Sequence, residues 1–209
     1  MLESYYIEQI SYQQAMDLVI ANHYLHRKAP CSIAFGLFHK DDPITCVGVV
    51  VYGNPASPAL VKGIAGEQHA KNVYELTRLW VDDSVPKNGE SFLIGNTLRL
   101  LDKEIIVSYA DTSQDHYGVV YQATNWIYTG LSDRHVEWRL DGQSSKHSRH
   151  LFDELGGVDK AKEFYGERLQ RHERSQKHRY IFLNGNKSKR KQLLALLRYP
   201  ILPYPKRDI

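Results

Sequence analysis

The chain has 209 residues, 42% of them hydrophobic, enough to bury the core of one domain of ordinary size. No apolar run reaches the ~18 residues of a membrane span, and the start MLESYYIEQIS has neither the basic opening nor the apolar stretch of a secretory signal, so a cytoplasmic protein is expected. The net charge of +3 is unevenly spread: residues 1–133 hold 9 Lys and Arg against 15 Asp and Glu, and residues 134–209 hold 18 against 9. A basic final third on an acidic body suits a polyanion surface, because each cation set near a phosphate releases a counterion; a solvated pair of charged helices is the alternative.

Taken in chain order, SYYIEQI alternates as a strand does, and SYQQAMDLVIANHYL follows at helical spacing with Ser11 as N-cap. CSIAFGLFHKDDPITCVGVVVYG holds two apolar runs around Lys40-Asp41-Asp42-Pro43, the signature of a hairpin whose second arm, Ile44 to Tyr52, is apolar enough to be buried on both faces. Cys31 and Cys46 fall in or beside these strands and are expected to be free thiols, and there is no zinc-type cysteine cluster. A Pro- and Gly-containing loop leads to the strand NVYELTRLWV, then to the helix SFLIGNTLRLLDK, the strand EIIVSYAD, the short helix GVVYQATNW and the strand IYTGL. The order is β α β β β α β α β. Beyond Asp133, GGVDKAKEFYGERLQRHERSQKHR reads as a charged helix or helix pair and YIFL as one more strand; NGNKSKRKQLLALLRYPILPYPKRDI reads as a turn, a basic amphipathic helix and a Pro-rich tail. This gives a core of residues 1–133 and a basic, mainly helical region of residues 134–209 that completes the fold.

A helix opening just after a strand offers free backbone N–H groups to an anion. The candidate is VPKNGESF, where Lys87 adds charge, Asn88 and Gly89 form the turn, and Ser91 can donate a hydroxyl; an ordinary Gly-containing helix start reads equally well.

The element order resembles that of the GNAT acyltransferases, an α+β fold with a mixed central sheet flanked by helices. Within that superfamily, YELTRLWVDDSVPKNGESFLIGNTLRLL, IIVSYADTSQDHYGVVYQATNWIYTG and HRYIFLNGNKSKRKQLLALLRYPILPYPK together resemble the bacteriophage Mom family, whose members place a carbamoylmethyl group on N6 of adenine in DNA and so block restriction. The resemblance implies site roles for Arg78 in ELTRL, Ser91 in GESF, Asp111 in SYAD and Tyr121 in VYQATNW, and for His23 and Tyr24 in NHYLHR. Chemically, Asp111 at a strand end could accept a proton from an adenine amino group or cap the next segment, and Tyr121 could donate a proton or pack as an aromatic. Arg78 could bind an anion or bridge to Glu75. The resemblance also implies acetyl-CoA or another acyl donor as cofactor, although of the family's pyrophosphate loop only Gly89 and Ser91 remain, and it implies iron. For a metal, His23 and His26 stand three apart, with His116 or Asp111 as a third ligand.

DNA as partner fits the basic helix, where Lys187, Lys189, Arg190 and Lys191 are expected to face phosphates while Leu193, Leu194, Leu196 and Leu197 pack inward. Adenine N6 takes part in base pairing, so the base must be flipped or unpaired, and Trp126, Tyr109, Tyr117 or Tyr128 could stack on it. The rival expectations are an acetyltransferase of a protein or small-molecule amine and a non-catalytic nucleic-acid-binding module.

Overall fold

A computed structural model describes residues 1–142, 152 and 155–206. The alternation of SYYIEQI makes β1 (Tyr5–Ile10), and Ser11 turns the chain into α1 (Tyr12–Asn22). Its hydroxyl accepts the Gln14 N–H at 3.2 Å while the Gln14 side chain accepts the Ser11 N–H at 3.1 Å, so two orphan donors of the helix start are satisfied reciprocally. α1 buries Ala15, Met16 and Val19 against Ala34, Val49 and Val51 of the expected hairpin, β2 (Ile33–His39) and β3 (Asp42–Gly53). Only Gly48 to Gly53 of β3 is buried; Ile44 is 90% exposed, because β3 gains its second neighbour only from Gly48 onward. The loop expected next contains α2 (Pro58–Ala65), capped by the Ser57 hydroxyl on the Leu60 N–H at 3.2 Å and opened by Pro58, whose fixed φ suits the first helical turn.

The next elements follow the expected order: β4 (Val73–Val81), α3 (Gly89–Thr97), β5 (Ile105–Asp111), α4 (Val119–Ala123) and β6 (Ile127–Leu131). The final third departs from it. It holds β7 (Val136–Leu140), α5 (Val158–Tyr165), β8 (Leu169–Glu173), β9 (Lys177–Leu183) and α6 (Lys187–Leu196), so β7 and β8 join the helices and the one strand expected there. Gly166 at φ 54° stops α5, and LQRHE pairs antiparallel with β7 in a separate ribbon, Leu140 opposite Leu169. One face of the ribbon meets α5, where Lys162 lies 5.1 Å from the centre of the Trp138 ring. β9 is longer than the expected YIFL. It is an inner strand, antiparallel to β5 on one side and to β6 on the other.

The main sheet runs β1-β2-β3-β4-β5-β9-β6, and its one parallel pair is β4 with β5. That pair holds only from Val73 to Glu75 against Ile105 to Val107, although both strands continue beyond. On one side of the sheet Leu93, Ile94 and Leu98 of the α3 segment pack with Trp126, Tyr121 and Tyr180; on the other, Ile64 and Leu193 pack with Ile105, Val107 and Ile181. The edge strand β6 is covered by the Pro-rich tail, whose Leu202 N–H donates to the Tyr128 carbonyl at 3.0 Å and whose Tyr204 hydroxyl donates to the Trp126 carbonyl at 2.7 Å. In α6 Leu193 is buried, but Leu194 and Leu196 are 42% and 39% exposed: the helix touches the sheet along one narrow line. Both cysteines are free and half-buried, and burial pushes both thiols up.

α4 begins at Gly118, at φ +71°, where a Cβ would stand 2.3 Å from the buried Tyr180 ring. Gly118→Ala therefore combines left-handed strain with overpacking and should cost about 2–5 kcal/mol, read as a lower urea midpoint.

Candidate active site

Where β4 and β5 part, a cavity of about 500 Å³ opens between them. It is bounded by His23 and Tyr24 after α1, by the segment Asp115 to Gly118, and by Tyr121 of α4. A β-bulge shapes its wall. In the β3–β4 ladder Val51 faces Arg78 and Tyr52 faces Leu76, so Thr77 is the extra residue. A regular strand would send Glu75 and Arg78 to opposite faces; one extra residue between them restores a common face, and both line the cavity.

Arg78 is anchored on backbone: Nη1 donates to the Thr77 carbonyl at 2.6 Å and Nη2 to the Lys28 carbonyl at 3.4 Å. It makes no ion pair with Glu75, and its buried Nε has no partner among the described residues. The Glu75 carboxylate is held by no hydrogen bond or ion pair among the described residues, and burial pushes its pKa up against the pull of Lys177 and Arg78. Sequence reading singled out Arg78 and treated Glu75 only as its partner; the bulge that aims both inward leaves no trace in the period of YELTRL.

His23 is buried at the C-cap of α1, and its Nδ1 accepts the Leu25 N–H at 3.1 Å, which leaves the proton of the neutral ring on Nε2. Burial, followed by the nearby charge of Arg78, His26, His116 and Arg27, holds its pKa down to about 4. The ring is thus a neutral hydrogen-bond donor at pH 7. Tyr24 stacks on it with centroids 4.4 Å apart and remains partly exposed at the cavity wall. Tyr121 is buried, with its hydroxyl 2.8 Å from Ser108 Oγ. Ser108 also lies 3.0 Å from the Leu76 carbonyl and has one proton to give: while it donates there Tyr121 donates to it, and while it donates to Tyr121 the tyrosine proton is available to a ligand. Burial pushes Tyr121 up to about 12. Tyr109 and Tyr117 line the cavity too, the former raised by burial. Trp126 and Tyr128 do not: Trp126 is fully buried in the core, and Tyr128 is buried with its hydroxyl 2.9 Å from His178 Nδ1, so neither offers a free face for stacking.

Asp111 ends β5, as expected, but it is not among the residues that line the cavity. Its Oδ1 accepts from Ser175 Oγ at 2.7 Å, Ser113 Oγ at 2.8 Å and Ser113 N–H at 3.0 Å, and its Oδ2 lies 3.2 Å from Lys177 Nζ. Burial pushes its pKa up, but the Ser175 and Ser113 hydrogen bonds and the Lys177 charge outweigh that and hold it at about 2. It caps the turn Thr112–Gln114 and ties the end of β5 to the segment entering β9.

At the start of α3 the N-cap is Asn88, in the left-handed region at φ 75°, and no side chain caps the helix. Ser91 Oγ donates back to the Asn88 carbonyl at 3.0 Å, Lys87 is exposed, and Gly89 is required by packing, since a Cβ there would stand 2.6 Å from Val85. His26 is turned away, its Nδ1 2.9 Å from the Ile20 carbonyl, and His116 meets Tyr24 edge-on at 5.8 Å. Among the described residues no group of three or more His, Cys, Asp or Glu could hold a metal, so iron has no ligand set there. Of the basic helix, Lys189 is paired with Glu104 at 2.7 Å and Arg190 lies 5.5 Å over the Phe182 ring, while Lys187 and Lys191 are exposed.

The model of the Mom protein family matches residues 4–206, which include this cavity, the β-ribbon and α6. The chain belongs to the Mom family. A relative, methylcarbamoylase mom of Escherichia phage Mu, is 31% identical over 143 residues, or 66% of this chain; the aligned part spans 58% of the phage Mu protein. Among solved structures, the Mom-family chain is similar to a ribosomal-protein-S5-alanine acetyltransferase from Vibrio fischeri (10% identity, TM-score 0.48, covering 89% of this chain and 96% of that one). It is also similar to a GNAT-family acetyltransferase from Bacillus cereus (11% identity, TM-score 0.46, 87% and 99%). No helix among the described residues of this Mom-family chain is long and apolar enough to cross a membrane.

Proposed function

We propose that this chain is a DNA-modification enzyme that transfers a carbamoylmethyl (methylcarbamoyl) group to N6 of adenine, with the β4–β5 cavity as its active site. The observation that carries the reading is the family match across the whole described fold, cavity and basic third together. A flipped or unpaired adenine would enter beside Tyr24 and Tyr117, aromatic side chains at the cavity wall able to stack on it. Of the carboxylates that line the cavity, Glu75, Glu90 and Asp115, it is Glu75, on the bulged strand beside Arg78, that accepts the N6 proton as nitrogen bonds to the donor carbon. The His23 Nε2–H and the Tyr121 hydroxyl, both neutral at pH 7, are donors suited to charge developing on the donor group. Arg78 contributes fixed positive charge. Asp111 acts one step back: it holds Lys177, whose ammonium lines the same cavity.

For the carrier of the donor group, coenzyme A fits two features. Beyond Glu75 the edge of β4 that faces β5 carries no ladder bonds, leaving backbone groups for an extended pantetheine arm, and the start of α3 has no side-chain cap, leaving N–H groups for a pyrophosphate. Lys87 and Ser91 would stand at that turn. A thioester would place an acyl group on N6, whereas a carbamoylmethyl group is joined through its methylene carbon. Its transfer would need a donor with the leaving group on that methylene, that bond breaking as N6–CH2 forms, while this chain supplies the orientation and the proton acceptor.

DNA from cells making the protein should resist restriction enzymes whose sites contain adenine, and DNA from cells making Glu75→Gln should be cut. Equal cutting of both would contradict the reading.

A further inference from the structure

A second cavity, of about 600 Å³, lies between α3 and α6, and of the donor turn only Ser91 borders it. Its walls carry three cations, Arg99 from the turn after α3 and Arg190 and Lys191 from α6, and no Asp or Glu is among its lining residues. Its floor is apolar, with Phe182 and Ile127, and the Arg190 guanidinium lies 5.5 Å above the Phe182 ring, which limits its freedom before any ligand arrives. Glu104, which could have neutralised the cations of α6, is already paired with Lys189. Asn125, exposed at φ 59° on the turn after α4, adds an amide to the rim.

The place of this groove matters as much as its charge. Tyr121 of α4 lines the first cavity, whereas Ala123, Thr124 and Asn125 line the second; likewise Glu90 of α3 borders the first and Ser91 the second. The two openings therefore stand at opposite ends of a helix of five residues, about 8 Å long at 1.5 Å per residue. At a repeat of about 3.4 Å per nucleotide along a strand, that is roughly two nucleotides.

We propose that the groove between α3 and α6 grips the sugar-phosphate backbone of the DNA strand whose base enters the β4–β5 cavity, through Arg99, Arg190 and Lys191. This rests on the reading that the chain acts on DNA. It moves the phosphate contacts from the whole start of α6 to three cations facing one groove, and it adds Arg99, which lies outside the basic third. A strand held there would be fixed on one flank of the target base, so the cavity would receive a base already tethered.

The test is fluorescence anisotropy with a labelled single-stranded oligonucleotide over a range of salt, using the full chain and Arg99→Glu/Lys191→Glu. The double variant should bind at least about 10-fold more weakly, and its plot of log affinity against log salt should be shallower by about 1.4, or 0.7 for each lost phosphate contact. The milder Arg99→Gln and Lys191→Gln should each lower the slope by about half as much, and Lys40→Glu, on the distant β2–β3 turn, should change neither quantity. Matching melting curves exclude misfolding. Unchanged binding in the double variant while the wild type binds DNA would overturn the groove alone. A wild type that does not bind DNA would overturn both the groove and the reading beneath it. Displacement of the oligonucleotide by free ADP at equal concentration would overturn the strand assignment in favour of a mononucleotide site.

Discussion

Glu75→Gln lowers the rate of adenine modification by about 10²–10⁴-fold, the usual worth of a positioned proton acceptor, and leaves the melting temperature unchanged or slightly higher. The second half follows from the first cavity's electrostatics. Burial raises the Glu75 pKa above its ordinary 4.5, so the folded state resists ionising it, and stability present below that value is lost as pH rises through the folded pKa. An uncharged glutamine escapes that cost. The same logic fixes the pH profile: the wild-type rate climbs as Glu75 ionises above pH 4.5, and the variant lacks that limb. A side chain whose loss removes activity while stability holds is there for chemistry rather than for packing. If the variant keeps more than about a third of the wild-type rate, with modification measured under single-turnover conditions, Glu75 is not the acceptor.

Asp111→Asn has the opposite signature. Its carboxylate accepts three hydrogen bonds and faces the Lys177 ammonium, and bonds to a charged group are worth about 1.5–3 kcal/mol, so a loss of about 2 kcal/mol is expected in urea unfolding at pH 7. The folded pKa of about 2 lies below the ordinary 3.8, so the wild type holds this contribution fully above pH 3.8 and loses it as pH falls toward 2. The gap between wild type and variant should therefore close over that interval. Activity should fall only about tenfold, because Lys177 remains in place but less firmly held. A variant with wild-type stability and no activity would make Asp111 the proton acceptor and leave Glu75 without a task.

Much of this site was legible in the residues. His23, Tyr24, Arg78 and Tyr121 were given site roles from the sequence, and in the structure they line one cavity: His23 and Tyr24 follow α1, Arg78 lies on β4 beyond its last pairing with β5, and Tyr121 lies within α4. What the sequence hid is of three kinds. The bulge at Thr77 depends on β3, a partner 26 residues away, so alternation within YELTRL could not reveal that Glu75 and Arg78 share a face. The role of Asp111 depends on Ser175 and Lys177, 64 and 66 positions further along, which a reading of SYADTSQDHY alone sees only as a strand end. The ribbon of β7 and β8 is so charged that RLQRHER matches a solvated helix as well as a strand; a pairing register, not composition, decides between them. The basic helix illustrates the converse, since its cations were visible but their partners, Glu104 and Phe182, lie on other elements.

The central claim is that the β4–β5 cavity modifies adenine in DNA, and the mass of deoxyadenosine tests it most directly. DNA from cells making the wild-type chain, digested to nucleosides and weighed by mass spectrometry, should contain a deoxyadenosine heavier by a carbamoylmethyl group, and DNA from cells making Glu75→Gln should contain only the ordinary nucleoside. Unmodified deoxyadenosine alone from cells with soluble wild-type protein, or the heavier nucleoside in equal amount from both, would contradict it.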